Sequence, residues 1–527
     1  MLDDLDREHT VHGRTRNLVV AATGTVTTMR ALGFVSTVAH AHFLARQFTA
    51  AGIRAVALDA SSNSQHRQAT LRALRDGDVK LVVSVDLFNE GVDVPDVDTI
   101  LMLRPTESAT VFLQQLGRGL RRSPGKSVLT VLDFIGHQNK RFRFDLRYRA
   151  LTGVSRQGLV DAVQHGFAYL PAGTHLQLDR VATEAVLENV RAHVPSTTAK
   201  LVDDVREHAR LRSTQEYALA DYLHDAVAEP ADIYGRTTWT AVCRRAGLRA
   251  PAVSTSGPDA AREEADLLRR VRALAHVDDL PRLAVYRQLV TDPASFDLDD
   301  VPQRRLATML YFTLWPDGRD ASPTVGLARR LLPHPAVVAE LLQLWDVAEE
   351  RIPHVSYPLV QPDLAGVPLR VHARYTREEM LAGLGWAHLD PAGPRVPRGH
   401  ATGTRQLPEL NADAFDITWR KTESGYSPST MYRDYAISPT RIHWESPASL
   451  RTDSPAAVRY RTHAAHGRHV LLFAREAKTG PLGALPLMFL GTARYVSDRG
   501  ELPVSFTWDL ERPLPAQMLV QSQLLTG

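Results

Sequence analysis

The sequence predicts a chain in three parts. An α/β lobe with a parallel sheet and helices on both faces comes first, then a mainly α-helical region, then a small β-rich, barrel-like domain. Three observations carry this. Between Ala31 and Gly136, short runs of Val, Ile and Leu alternate with amphipathic stretches, and continuous apolar runs mark strands buried on both faces. Across 151–375, apolar residues recur at helical spacing with little strand pattern. Across 376–527, short strand-like runs are separated by Pro and Gly, the signature of a small barrel or sandwich.

The elements follow in order after an N-terminal segment, 1–30. In the lobe, 31–150, strands are predicted over Ala31–Thr37, Arg54–Leu58, Leu81–Val85, Thr99–Leu103 and Val128–Phe134. Between them, Ala39–Ala51 places Phe43, Leu44 and Phe48 on one helical face before Gly52, and Ser64–Arg75 stops at Gly77. A further helix is predicted over Ser108–Leu120. The outline is that of a RecA-like lobe. In the helical region, Leu267, Leu268, Val271 and Leu274 form one apolar stripe, and Val338, Leu341, Leu342 and Trp345 another. Arg249–Asp259, rich in Pro, Ser, Thr and Gly, reads as an exposed linker. Thr376-Arg-Glu-Glu379 has the form of a capping box, with a helix running on to Leu384. Strands are then expected over Ala414–Lys421, Arg441–Glu445, His469–Arg475, Leu487–Val496 and Val504–Leu510.

Composition bounds the function. The 527 residues allow about three domains of roughly 150 residues each. The formal charge of +3 and a pI of about 8.9 permit a polyanionic partner without demanding one. Cys243 is the only cysteine, so an intrachain disulfide and a cysteine-based zinc site are excluded. The acidic start and the lack of a long apolar run predict a cytoplasmic protein with no membrane span. No His, Cys, Asp and Glu cluster has metal-ligand spacing, so no metal site is expected.

The chemistry concentrates in two segments. Val85-Asp-Leu-Phe-Asn-Glu-Gly-Val-Asp-Val-Pro95 follows a predicted strand, and Gln114-Gln-Leu-Gly-Arg-Gly-Leu-Arg-Arg122 closes a predicted helix. Gly91-x-Asp93 falls at the carboxyl edge of the sheet, where parallel α/β sheets bind ligands. There glycine allows the backbone to approach a phosphate chain, and Asp93 can accept from a ribose hydroxyl. Arg118 and Arg121, three apart after Gly117, suit arginine fingers, because a planar guanidinium pairs with phosphate oxygens in two places at once. A phosphate-binding Gly-x-x-x-x-Gly-Lys-Ser/Thr loop and an acidic magnesium box are missing. Gly125-Lys126-Ser127 is no substitute, because Leu120 stands where glycine is required and the segment leads into a strand rather than a helix.

Taken in register, these segments resemble motifs V and VI of superfamily 2 helicases. The resemblance implies that Asp93 touches the ribose, that Gln114 and Arg118 line the nucleotide, and that Arg121 meets the terminal phosphate. It also implies that Gly91, Gly117 and Asp86 shape or link the nucleotide and strand sites. Valine stands at Val85, where the family commonly carries a threonine that meets a nucleic-acid phosphate; Ser84 is adjacent.

Further strings sharpen the family. They include Phe34-Val-Ser-Thr-Val-Ala-His-Ala-His42, Leu132-Asp-Phe-Ile-Gly136, Met431-Tyr-Arg-Asp-Tyr-Ala-Ile-Ser438, Ile442-His-Trp-Glu-Ser446 and Phe489-Leu-Gly-Thr-Ala-Arg-Tyr-Val-Ser497. Together they resemble type IV, modification-dependent restriction enzymes, which join a phospholipase-D-type nuclease, a superfamily 2 motor and an SRA-like module for 5-methylcytosine. The family's His-x-Lys nuclease pair is not found. The resemblance implies double-stranded, methylated DNA as partner. It also implies ATP and Mg2+ bound only with a complementary first lobe, which is either missing or carried on a separate polypeptide together with the nuclease.

A flipped base needs aromatic walls and a few polar groups. Trp419, Tyr432, Tyr435 and Trp444 are the aromatic candidates, with Asp434, Ser438 and His443 beside them. Arg433, Arg441, Arg459, Arg461, Arg468 and His469 are the candidates for backbone phosphates.

Overall fold

The computed structural model describes residues 29–85, 96–103, 115, 126, 129–133, 159–160, 163–164, 167, 177–178, 180–192, 197–226, 228–251, 257–352, 354–390, 393–397, 403–419, 434–447, 449–515 and 518–519. These fall into two compact units, one up to residue 194 and the other from residue 195.

The first unit holds five strands, β1 (Ala31–Phe34), β2 (Ala55–Leu58), β3 (Leu81–Ser84), β4 (Thr99–Met102) and β5 (Thr130–Asp133). They pair in the order β2-β3-β1-β4-β5, and every pair is parallel. β1, β3 and β4 are buried along their whole length, as continuous apolar runs require. Two apolar clusters lie on the lobe. One includes Leu32, Phe34, Leu58, Leu74, Val82 and Ile100, and the other Ala31, Leu44, Phe48, Leu81, Val83 and Leu101. Residues adjacent in a strand belong to opposite clusters, because side chains alternate across the sheet. The helix Val38–Ala50 starts at Thr37, whose hydroxyl accepts from the His40 N–H. The helix Ser64–Asp76 ends at Gly77, which takes φ +82°, a left-handed position that glycine adopts without penalty. The predicted helix Ser108–Leu120 lies outside the described residues apart from Gln115.

The second unit pairs helices with a mixed sheet. Its strands are β6 (Arg374–Tyr375), β7 (Thr404–Leu407), β8 (Ala412–Thr418), β9 (Tyr435–Ser438), β10 (Arg441–Glu445), β11 (His469–Arg475), β12 (Thr479–Gly480), β13 (Gly483–Ala484), β14 (Leu487–Arg499) and β15 (Ser505–Leu510). The main path is β7-β8-β11-β14-β15-β10-β9, with β6 added on β14 and β12-β13 a separate hairpin. Along it β8 and β11 run parallel and the other neighbours antiparallel. Among the described residues this path has two ends, so it is an open sheet and not the closed barrel expected from strand spacing. Strand spacing alone does not distinguish the two, because closure depends on which edges meet.

One face of this sheet, with Ala412, Ala414, Leu471, Phe473, Leu487 and Phe489, shares a core with the helices. That core includes Leu267, Leu268, Val271, Leu341 and Trp345, so both predicted stripes are core stripes. The compositional change at residue 375 therefore falls inside one packed unit. The opposite sheet face carries Phe415, Ile417, Leu472, Leu490, Trp444 and Trp508, covered by the helix Pro455–Thr462 through Ala457 and Tyr460.

Cys243 is buried in the helical core, and burial, helped by the nearby Glu340 charge, pushes its thiol up to about 12. The thiolate is the reactive form, so the folded chain should resist alkylation at neutral pH. Titration with a thiol reagent across a denaturant series is expected to show labelling only as this core opens; rapid labelling of native protein would contradict the packing.

Candidate functional site

At the carboxyl edge of the lobe sheet, Leu58, Ser84, Phe34, Met102 and Asp133 stand in one row across the five strands. Ser84 ends β3 immediately before the Asp86–Pro95 segment. It is fully buried, and its hydroxyl has no hydrogen-bond partner among the described residues. A second polar group stands at the same edge, just past β2. The Asp59 carboxylate accepts from Ser61 N at 2.8 Å, from the Ser61 hydroxyl, and pairs with His42 Nε2 at 3.0 Å. The Ser61 and His42 hydrogen bonds hold its carboxyl down to about 2. Asp59 was not among the sequence-predicted site residues; the usable signal was an acidic residue just past an apolar strand, with Ser61 and Ser62 close behind.

Asp86, Gly91, Asp93, Gln114, Gly117, Arg118 and Arg121 lie outside the described residues, as do Tyr432 and Arg433. For these, the structure supplies the sheet edge from which their segments depart. No group of three or more His, Cys, Asp and Glu residues suits a metal ion among the described residues. No described helix is long and apolar enough to cross a membrane.

In the second unit the predicted DNA-contact residues are divided. Tyr435 stacks on His443, with ring centroids 4.6 Å apart, while Trp444 stacks on Phe415 at 4.5 Å and is only 3% exposed. His443 and Trp444 are neighbours in β10 and so point to opposite faces. Tyr435 and Trp444 are thus not walls of one cage. Trp419 is 4% exposed, belongs to the same core as Trp444, and its indole N–H has no acceptor among the described residues.

The arginines expected to meet phosphate already have anionic partners. Arg441 makes two bonds to Asp509, at 2.6 and 2.9 Å. Arg461 holds Asp498 twice at 2.8 Å. Arg459 and Arg468 converge on the buried Asp413, at 3.0 and 3.3 Å, and His469 pairs with Asp363 at 2.6 Å. Asp509 stands across the ladder from Arg441, while Asp413 and Asp498 lie on strands facing arginines of a helix or loop, and these positions are not visible in the local sequence around each arginine.

With this geometry in hand, comparison with known proteins is informative. The helicase conserved C-terminal domain matches residues 16–123, and a domain of unknown function, DUF3427, matches residues 369–521. A 51.5 kDa protein of Lactococcus phage (isolate 7-9) is 34% identical over 102 residues, 19% of this chain and 23% of its own length. The putative ATP-dependent helicase IRC3 of Saccharomyces cerevisiae is 32% identical over 98 residues, 19% of this chain and 14% of its own. UvrABC system protein B of Thermotoga neapolitana is 31% identical over 147 residues, 26% of this chain and 22% of its own. This chain therefore spans less than a quarter of the length of these relatives. Among solved structures, the E. coli DEAD-box protein SrmB, bound to the regulator of ribonuclease activity A, aligns at 20% identity with a TM-score of 0.22. That alignment covers 26% of this chain and 78% of that one. The yeast splicing factor Prp28 aligns at 13% identity and TM-score 0.25, over 34% of each chain.

Residues 16–123 match the helicase conserved C-terminal domain, and the parallel lobe within them is a RecA-like helicase C-terminal lobe.

Proposed function

We propose that this chain is the carboxy-terminal portion of an ATP-dependent DNA translocase in a modification-dependent restriction system. Within it, 31–150 is the motor lobe, 151–375 a connecting region and 376–527 an SRA-like module that reads methylated DNA. Arg118 and Arg121 reach an ATP site whose phosphate loop belongs to a first lobe, supplied by another polypeptide that also carries the nuclease. Gly91, Asp93, Gln114 and Gly117 line the nucleotide, while Ser84 and Asp86 lie towards the nucleic-acid strand.

The observation that carries this reading is the order of parts. A parallel sheet ends β3 at Ser84, just before Gly91-x-Asp93, and the Gln-x-x-Gly-Arg-x-x-Arg string follows β4. Ser84 adds a buried hydroxyl at that edge, suited to a phosphate oxygen. In the test, purified chain is assayed for ATP turnover alone, then with a first-lobe polypeptide and methylated duplex. Turnover is expected only in the complete mixture, and it should vanish when Arg118 and Arg121 are both replaced by alanine. Unaided turnover by this chain would overturn the composite site. Selective binding of methylated duplex with no turnover, even with the first lobe present, would favour a stand-alone reader.

A further inference from the structure

In the second unit, one group of arginines is not matched by carboxylates. Arg405, on β7, lies 4.0 Å from the Trp386 ring centroid, and Arg395 lies 4.1 Å from the same ring. Arg377, close enough for its charge to act on Arg405, completes the group. The Nε and Nη2 atoms of both Arg377 and Arg405 are buried and have no hydrogen-bond partner among the described residues. Asp416, on β8, is the carboxylate that acts on them, and it also feels Arg475. Arg475 already donates to the Thr418 hydroxyl and to the Leu485 carbonyl.

The electrostatics register the imbalance. Desolvation, with repulsion from Arg377 and Arg395, lowers the pKa of Arg405. Desolvation lifts the Asp416 carboxyl to about 6 in spite of the arginines, so this single counter-charge weakens as pH falls below neutrality. A buried donor without an acceptor is costly, and more so when charged. Proteins retain such groups where something else completes them. The contrast with Arg441, Arg459, Arg461 and Arg468, each set on a carboxylate, shows that this unit pairs its arginines elsewhere.

A guanidinium held against an indole ring is oriented before binding, so less freedom is lost when its N–H fork meets an oxyanion. Phosphate matches that fork in two places.

We propose that Arg395 and Arg405, set against Trp386, form with the neighbouring Arg377 a phosphate-binding site for the backbone of a nucleic acid. This rests on the reading that the chain binds DNA, and it adds the residues that hold the phosphodiester. Because such contacts do not touch bases, the site serves modified and unmodified DNA alike.

The full chain is titrated with labelled methylated and unmethylated duplexes between about 50 and 200 mM salt. Replacing both Arg395 and Arg405 by glutamine is expected to weaken binding of both duplexes and to reduce the slope of log affinity against log salt by about 1 to 2. The exposed Arg395→Gln alone, which disturbs packing least, should reduce the slope by about 1. Arg287→Gln, which removes a partner of Asp346 and Glu349, should leave it unchanged. Unaltered affinity and slope in folded variants, with a parent chain that binds, would overturn the site and leave the DNA reading standing. A parent chain that binds neither duplex would overturn both.

Discussion

Replacement of Glu379 by alanine is expected to destabilise the second unit by about 3–5 kcal/mol, the cost of breaking a buried ion pair from one side. Glu379 is fully buried, and its carboxylate accepts from Tyr286 at 2.8 Å, Thr376 N at 2.8 Å and Arg282 at 3.2 Å, and pairs with His276 at 2.6 Å. Arg282, 2% exposed, also holds Asp279 at 2.9 Å and lies 4.3 Å from the Tyr375 ring centroid. Alanine would leave the guanidinium, the tyrosine hydroxyl and a helix-start N–H short of an acceptor at once. Burial alone would raise the Glu379 carboxyl, but the charges of His276 and Arg282 outweigh it and hold it down to about 2. Because the folded value is depressed, this contribution is complete above the ordinary glutamate range. It is lost as pH falls from about 4.5 towards 2. Denaturant midpoints, followed by tryptophan fluorescence, should fall steeply over that window in the parent chain and much less in Glu379→Ala. An alanine variant with an unchanged midpoint would show that the network is not structural.

Glu379 also shows what was legible beforehand. The spacing Thr376-x-x-Glu379 reveals a capping box, and both of its reciprocal bonds are present. Nothing in that spacing reveals Arg282, Tyr286 or His276, which come from about a hundred residues away. The same division holds across the molecule. Strands β1, β3 and β4 were readable because a buried parallel strand writes its burial into consecutive residues, whereas β2 and β5 at the sheet edges are mostly half-buried. β10 and β11 were readable for a related reason, while β6 is only two residues long and β7, Thr404-Arg-Gln-Leu407, is mostly polar, so neither carries a strand pattern. The pairing of β8 with β11, and with it the open sheet, depends on residues some 57 apart. Charge was the least legible feature. Arg441 and Arg405 look alike as letters, but Asp509 stands across the ladder from the former and two further arginines surround the latter.

Trp444→Ala and Tyr435→Ala separate packing from recognition. Trp444 contacts Phe415 at 4.5 Å and Phe506 at 5.7 Å between ring centroids, inside a core that also holds Trp508 and Tyr460. Removing so large a buried ring is expected to cost about 3–5 kcal/mol, from lost transfer energy and the cavity left behind. Tyr435 is half-buried and lies on the other face, against His443 at 4.6 Å. Its truncation forfeits an aromatic pair worth about 0.5–1.5 kcal/mol beyond the area it buries, so it should leave the unit folded. If this face reads methylated DNA, Tyr435→Ala loses discrimination between methylated and plain duplexes at a nearly unchanged melting temperature. Trp444→Ala should lose binding only in step with its fold, and binding should return on cooling or with stabilising osmolytes. A folded Trp444→Ala chain with normal stability and no methyl preference would reverse the assignment and put the base pocket on the opposite face of β10.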